Sequence, residues 1–226
     1  MPPKSPLPFV VPFVLYLLGT SLIASLGVAW YPVAYAAVVA LVGGVTWFLL
    51  RRETILLVHG NVWLGVLVGV VGIAAWIALS HLRLETWVSQ WLPDFLKPGD
   101  RVSYNPFENL KSAGAIWAFV LVRVIGIAIV VPIIEEIFWR GFLLRWLIDP
   151  DWEKIPIGTY TLSSCMWVTL LFALAHPEWL AAAAYCLLLN GLLYWKRDLW
   201  LCVVAHATSN LLLAVYVLSS GAWWLW

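Results

Sequence analysis

The sequence predicts an all-α, polytopic membrane bundle. Charge is scarce, apolar runs of membrane-spanning length recur along nearly the whole chain, and the ionisable residues inside those runs collect in the second half. Of 226 residues, 63% are apolar and 11% charged, against about 25% charged in an ordinary soluble domain. In lipid every backbone N–H and C=O needs an internal partner, and these runs are too long and too continuously apolar for barrel strands. Helices follow, as a single membrane domain over residues 1–226.

Crossing about 30 Å of hydrocarbon takes about 20 helical residues. Three spans free of internal charge come first, at about Val10 to Trp30, Val33 to Leu50 and Val62 to Ser80. The start, MPPKSPLPF, has one Lys before an apolar run that goes on too far for a removed signal and lacks a small-residue cleavage site. From His81 to Lys111 the chain is more polar, with Pro93, Pro98, Gly99, Asp100, Asn105 and Pro106 beside Trp87, Trp91 and Tyr104. Such aromatics suit interfacial loops or short surface helices.

Ala113 to Ile148 is apolar again but contains Arg123, Glu135, Glu136, Arg140 and Arg145, and it is too long for one straight span. It should break, tilt or run along the interface, with Pro132 as the natural kink. Spans at about Thr161 to Ala175, Trp179 to Trp195 and Leu199 to Leu218 complete the chain. The count is seven, or eight if Pro132 separates two full spans.

Cytoplasmic loops carry the basic excess. Seven spans with a cytoplasmic amino terminus put Lys4, Arg51, Arg52, Arg145, Lys154, Lys196 and Arg197 inside, and Arg83, Lys97, Arg101 and Lys111 outside. A net charge of +1 gives no reason to expect nucleic acid as a partner. Cys165, Cys186 and Cys202 lack CxxC spacing and read as small core hydrophobes. His59 and His81 flank the third span and read as interfacial.

Ionisable residues inside a span cost about 2.5–3.5 kcal/mol each and are functional candidates for that reason. In Glu135-Glu136-Ile137-Phe138-Trp139-Arg140, helical geometry puts Glu136 and Arg140 on one face, where they can pair; Glu135 points about 100° away. In Phe172-Ala173-Leu174-Ala175-His176 the histidine closes an apolar helix just before Pro177. In His206-Ala207-Thr208-Ser209-Asn210 an imidazole and an amide stand at i and i+4 on the last span. A buried carboxylate can take a proton from water that a histidine orients, and the remaining imidazole and amide can donate to an oxyanion.

Each group also has a structural reading: a Glu–Arg staple, an interfacial histidine, a polar interhelical contact worth about 0.6 kcal/mol. Their joint occurrence in a chain otherwise nearly free of intramembrane charge favours the functional one. Competing uses are a small transporter or a scaffold, with the same residues as a proton relay or interhelical network, and a serine mechanism through Ser209 and His206. Zinc held by Glu135, His176 and His206 is a further alternative, without the HExxH pair that marks strong zinc sites.

The motifs EEIFWR, FALAH and HATSN, in that order, resemble the signature of the CAAX protease and bacteriocin-processing family of intramembrane endopeptidases. That family includes the type II CAAX prenyl endopeptidases and bacterial CAAX-protease-related proteins. The resemblance covers about Val131 to Leu218, within a catalytic core at 113–218. It implies Glu135 as the base that activates water with help from His176, His206 and Asn210 as oxyanion stabilisers, and Glu136, Arg140 and Phe172 as supports. It implies no cofactor, with zinc the alternative. It also implies a peptide or lipidated protein as substrate, membrane lipid as surroundings, and a bacterial cytoplasmic membrane as location. The site is expected in a cavity lined by the last four helices.

Overall fold

The computed structural model describes residues 5–91, 93 and 103–226; the expectations placed on Lys4, Lys97, Pro98, Gly99, Asp100 and Arg101 fall outside them. Among the described residues every regular element is helical. Helices α1 (Leu7–Ser25), α2 (Tyr31–Leu50) and α3 (Trp63–His81) are followed by the short α4 (Leu84–Ser89) and α5 (Pro106–Asn109) in the expected interfacial stretch. One long helix then runs over Ala113–Trp146, and α9 (Leu162–Leu174), α10 (Trp179–Lys196) and α11 (Leu199–Ser220) complete the bundle. Among the described residues five helices are long and apolar enough to cross a membrane: α1, α2, α3, the long helix and α11. Helices also stand where the other two of the seven spans are expected, as α9 and α10, but neither is among those five.

Helix starts follow local chemistry. The Ser112, Thr161 and Asp198 side chains accept backbone N–H groups of the first turns of the long helix, α9 and α11, satisfying donors that a helix leaves unpaired. Asp198 also bonds His59 at 2.7 Å, which ties the entrance to α3 to the start of α11.

The long helix does not break at Pro132. It comprises α6 (Ala113–Ile125), a π segment (Gly126–Val130), α7 (Val131–Glu136), a second π segment (Ile137–Leu143) and α8 (Leu144–Trp146). In the first π segment the Val131 N–H bonds Gly126 O, five residues back. The same register asks residue 132 to donate to Ile127 O, and proline has no N–H. That carbonyl is taken instead by Asn210 Nδ2 on α11, at 2.7 Å. An amide from a neighbouring helix thus replaces the donor the ring removes.

Helix α3 lies against α11 through glycine. A Cβ on Gly69 would come within 2.5 Å of Ala205 O, and one on Gly65 within 2.8 Å of Leu201 O, so only hydrogen fits at either place. This is the close approach that small residues four apart give membrane helices. Ser209 Oγ donates across the same contact to Gly69 O at 2.8 Å. Helix α1 seats on the second π segment by aromatic contact: Phe13 stacks on Phe138, ring centroids 4.1 Å apart, and meets Trp139 edge-on at 5.2 Å.

Candidate active site

Glu135 and Glu136 end α7, and Arg140 follows in the second π segment. Glu136 and Arg140 are wholly buried, at 0% exposure each, with Arg140 Nη1 3.2 Å from Glu136 Oε1. The guanidinium spends its other donors on Asn190 Oδ1 at 3.0 Å and on Cys186, and stands over the Phe172 ring at 5.1 Å from its centroid. Such a charge persists in the interior only when its hydrogen-bonding capacity is met this fully. Cys186 therefore helps hold Arg140 in addition to filling space; Cys165, Cys186 and Cys202 are all buried and free.

His206 brings Nδ1 to 2.8 Å from Glu136 Oε1. That oxygen accepts from Arg140 as well, so the bond is read as Nδ1–H donating to a carboxylate. Nε2 can then donate to an oxyanion only when the ring carries both protons, a cation facing the Glu136 carboxylate. Glu136 is thus shared between the arginine on its own helix and the histidine on α11, and it fixes the ring's orientation.

His176 lies in the turn after α9, two residues beyond its end. Its Nδ1 is 2.8 Å from Phe172 O. A carbonyl only accepts, so Nδ1 carries the proton and the neutral ring presents Nε2 as an acceptor. The ring stacks on Phe172 at 4.6 Å and meets Trp76 edge-on at 5.7 Å. Helix α9 is short for a membrane helix, since thirteen residues reach about 20 Å against a hydrocarbon layer of about 30 Å.

Glu135, His176, His206 and Asn210 all line one cavity of about 450 Å³. Glu135 is 7% exposed, and its Oε2 makes no well-formed hydrogen bond to any described residue, with the Trp139 indole N–H near the carboxyl; the indole N–H of Trp76 on the same cavity likewise has no acceptor among the described residues. Asn210 commits one amide hydrogen to Ile127 O and keeps the other. The walls correct one expectation. They are not confined to the last four helices, because Phe13, Tyr16 and Leu17 of α1, Tyr31 and Tyr35 of α2, and Trp76 of α3 contribute as well.

Two alternatives raised by the sequence do not assemble. The Ser209 hydroxyl lies within 2.8 Å of Gly69 O and accepts from Tyr185 Oη, also at 2.8 Å; it is bound to backbone and phenol, not to His206. Nor do Glu135, His176 and His206 form a ligand cluster: among the described residues no three His, Cys, Asp or Glu side chains are disposed to hold a metal ion. His59 and His81 pair with Asp198 and Tyr216 away from the cavity. Sequence reasoning overlooked Asn190, Tyr185 and Ser209 as supports, although a polar residue inside an apolar helix is itself the signal for such a role.

Comparison with known proteins finds no curated protein and no solved structure that matches the chain. Residues 116–212 match the family described as type II CAAX prenyl endopeptidase Rce1-like, and this region takes in Glu135, His176, His206 and Asn210 together. Through the segment that carries these four cavity-lining residues, the chain is similar to this family of endopeptidases.

Proposed function

We propose that the chain is an intramembrane endopeptidase that hydrolyses a peptide bond of a membrane-associated or lipid-modified substrate with water activated by Glu135. The observation that carries this reading is the convergence of Glu135, His176, His206 and Asn210 on one cavity, with a Glu135 oxygen that makes no well-formed hydrogen bond to any described residue.

Glu135 takes a proton from a water that His176 Nε2 helps to orient, and the water oxygen bonds to the scissile carbonyl carbon. The resulting oxyanion accepts from the second Asn210 amide hydrogen and from His206 Nε2–H. As the tetrahedral intermediate collapses, the C–N bond breaks and the proton held by Glu135 passes to the leaving nitrogen. Glu136 and Arg140 take no part in bond making; they hold His206. The natural substrate in this reading is a peptide or lipidated protein presented from the lipid. The setting is a bacterial cytoplasmic membrane with the amino terminus in the cytoplasm.

The test is cleavage by the purified full chain in lipid bilayers, with membrane proteins of a host cell as substrates and new amino termini read by mass spectrometry. Glu135→Gln should lose cleavage by about 10²–10⁴-fold, the range for a general base, with its unfolding temperature unchanged. Cleavage by Glu135→Gln at the wild-type rate would remove the base assignment and the mechanism with it.

A further inference from the structure

A second recess, of about 370 Å³, lies between α2 and the long helix. Gly43, Thr46 and Leu50 of α2 form one wall, Ile129, Val130 and Ile133 the other, and Arg51 stands at one end. It shares no lining residue with the cavity that holds Glu135. We propose that this recess binds one acyl chain of an anionic phospholipid, with Arg51 on the phosphate. The inference goes beyond the hydrolytic reading and needs nothing from it.

The recess exists because α2 has glycine at position 43. A Cβ there would already touch Val130 Cγ2 at 3.8 Å, so a larger side chain would fill the slot. Thr46 spends its hydroxyl on Val42 O at 2.6 Å, and Arg51 is the one charged residue of the lining. A fitting occupant is therefore apolar along its length and negative at one end.

The dimensions suit a lipid tail. Gly43 and Arg51 are eight residues apart, about 12 Å of helix axis, and Arg51 follows directly on the end of α2. Half of a hydrocarbon core of about 30 Å is about 15 Å. The slot thus covers most of one leaflet, from the headgroup level inward.

The cation is available at that level. Arg51 is exposed and forms no ion pair among the described residues. Its guanidinium carbon stands 4.5 Å from the Phe48 ring centroid and 5.6 Å from that of Trp47, contacts that hold a long basic side chain at an interface. Arg52 adds a second positive charge beside it, against Glu53 one residue further on. Arginine's fork matches phosphate bidentately, and basic pockets between membrane helices take anionic headgroups. A zwitterionic lipid brings its own cation to the same place and loses that advantage.

The test is photolabelling of the full chain in phosphatidylcholine vesicles. The probes are phosphatidylglycerol and phosphatidylcholine, each with a diazirine at the end of one acyl chain, and adducts are mapped by mass spectrometry. Labelling of residues 43–51 and 129–133 should be at least about 5-fold greater with the phosphatidylglycerol probe, the factor that one cation near the surface gives. Unlabelled phosphatidylglycerol should compete it away. Arg51→Gln should bring labelling by the anionic probe down to that of the zwitterionic one, and Arg51→Lys should keep most of the difference. Gly43→Leu should lower labelling of the slot by both probes and leave that of the exposed Leu18 and Leu22 on α1 unchanged; if it does not fold, the exposed Arg51 carries the test.

Equal labelling by the two probes, labelling no greater than at Leu18 and Leu22, or an undiminished preference in Arg51→Gln overturns the proposal. Displacement by a neutral long-chain alcohol as readily as by phosphatidylglycerol does so too, and assigns the slot to an apolar chain alone. Labelling that falls as the chain is crowded in the vesicles gives the slot to a second copy instead. None of these readouts depends on cleavage, so the outcome is separate from that of Glu135→Gln.

Discussion

The first three helices and the later ones are held by different physics. Helices α1 to α3 contain no Asp, Glu, Lys or Arg. They join the bundle by shape: Phe13 against Phe138, and Gly65 and Gly69 against the α11 backbone. The long helix, α9, α10 and α11 are joined by charge, with Arg140 linked to Glu136, Asn190 and Cys186, and Glu136 linked to His206. Lipid supplies little hydrophobic drive between helices, so close packing and polar contacts are the means that remain. The first half leans on packing and the second on polar contacts, with the Ser209–Gly69, Arg123–Tyr31 and His81–Tyr216 hydrogen bonds crossing from one to the other, and residues of both line the cavity.

Substitutions can break this contrast. The largest effect expected is on the chemistry, where Glu135→Gln should cost up to about 10⁴-fold in turnover with stability intact, since Oε2 makes no well-formed hydrogen bond to any described residue. Its neighbour should behave oppositely. Arg140→Ala strands the Glu136 carboxylate and should cost about 3–5 kcal/mol, read as a large fall in thermal unfolding temperature in detergent; Arg140→Lys should rescue little, because an ammonium lacks the fork that reaches several acceptors. Equal stability losses for Glu135→Gln and Arg140→Ala would erase the distinction between the two carboxylates.

In the shape-held half, Gly69→Ala should cost about 1–3 kcal/mol through overpacking, and Ala205→Gly should not relieve it, since the obstruction includes the Ala205 carbonyl. Asn210→Leu should show a small stability loss, about 0.6 kcal/mol for one interhelical bond, in the same unfolding assay. Its cleavage rate should fall by about 10²–10³-fold, as for a lost oxyanion donor. A stability loss comparable to that of Arg140→Ala would recast Asn210 as purely structural.

Much of this was legible in the sequence, for reasons that can be named. The helical type and the bundle followed from run length and from the cost of unpaired backbone in lipid, whereas five helices, not seven, are long and apolar enough to span. The Glu136–Arg140 contact followed from i,i+4 spacing, and the three polar motifs followed from the rarity of charge in spans. What stayed hidden depends on tertiary meetings. Ile127 O loses its donor because residue 132 is proline, yet nothing local says that Asn210, eighty-three positions away, would replace it. The chain stays helical through Pro132 with that amide in place of the missing donor. The second partner of Glu136, His206, and the contribution of α1 to α3 to the cavity likewise depend on how helices dock, and apolar helices without charge carry no mark of which neighbour they will face.

The brevity of α9 has an effect on the surroundings of the protein. A helix about 10 Å shorter than the hydrocarbon layer creates a hydrophobic mismatch, which a bilayer accommodates by thinning locally. If α9 faces lipid, such thinning would bring headgroups and solvent toward the turn at Ala175 to Glu178, which follows α9 and carries His176. A dimple there would shorten the path that water and a polar peptide backbone travel through oil to reach Glu135.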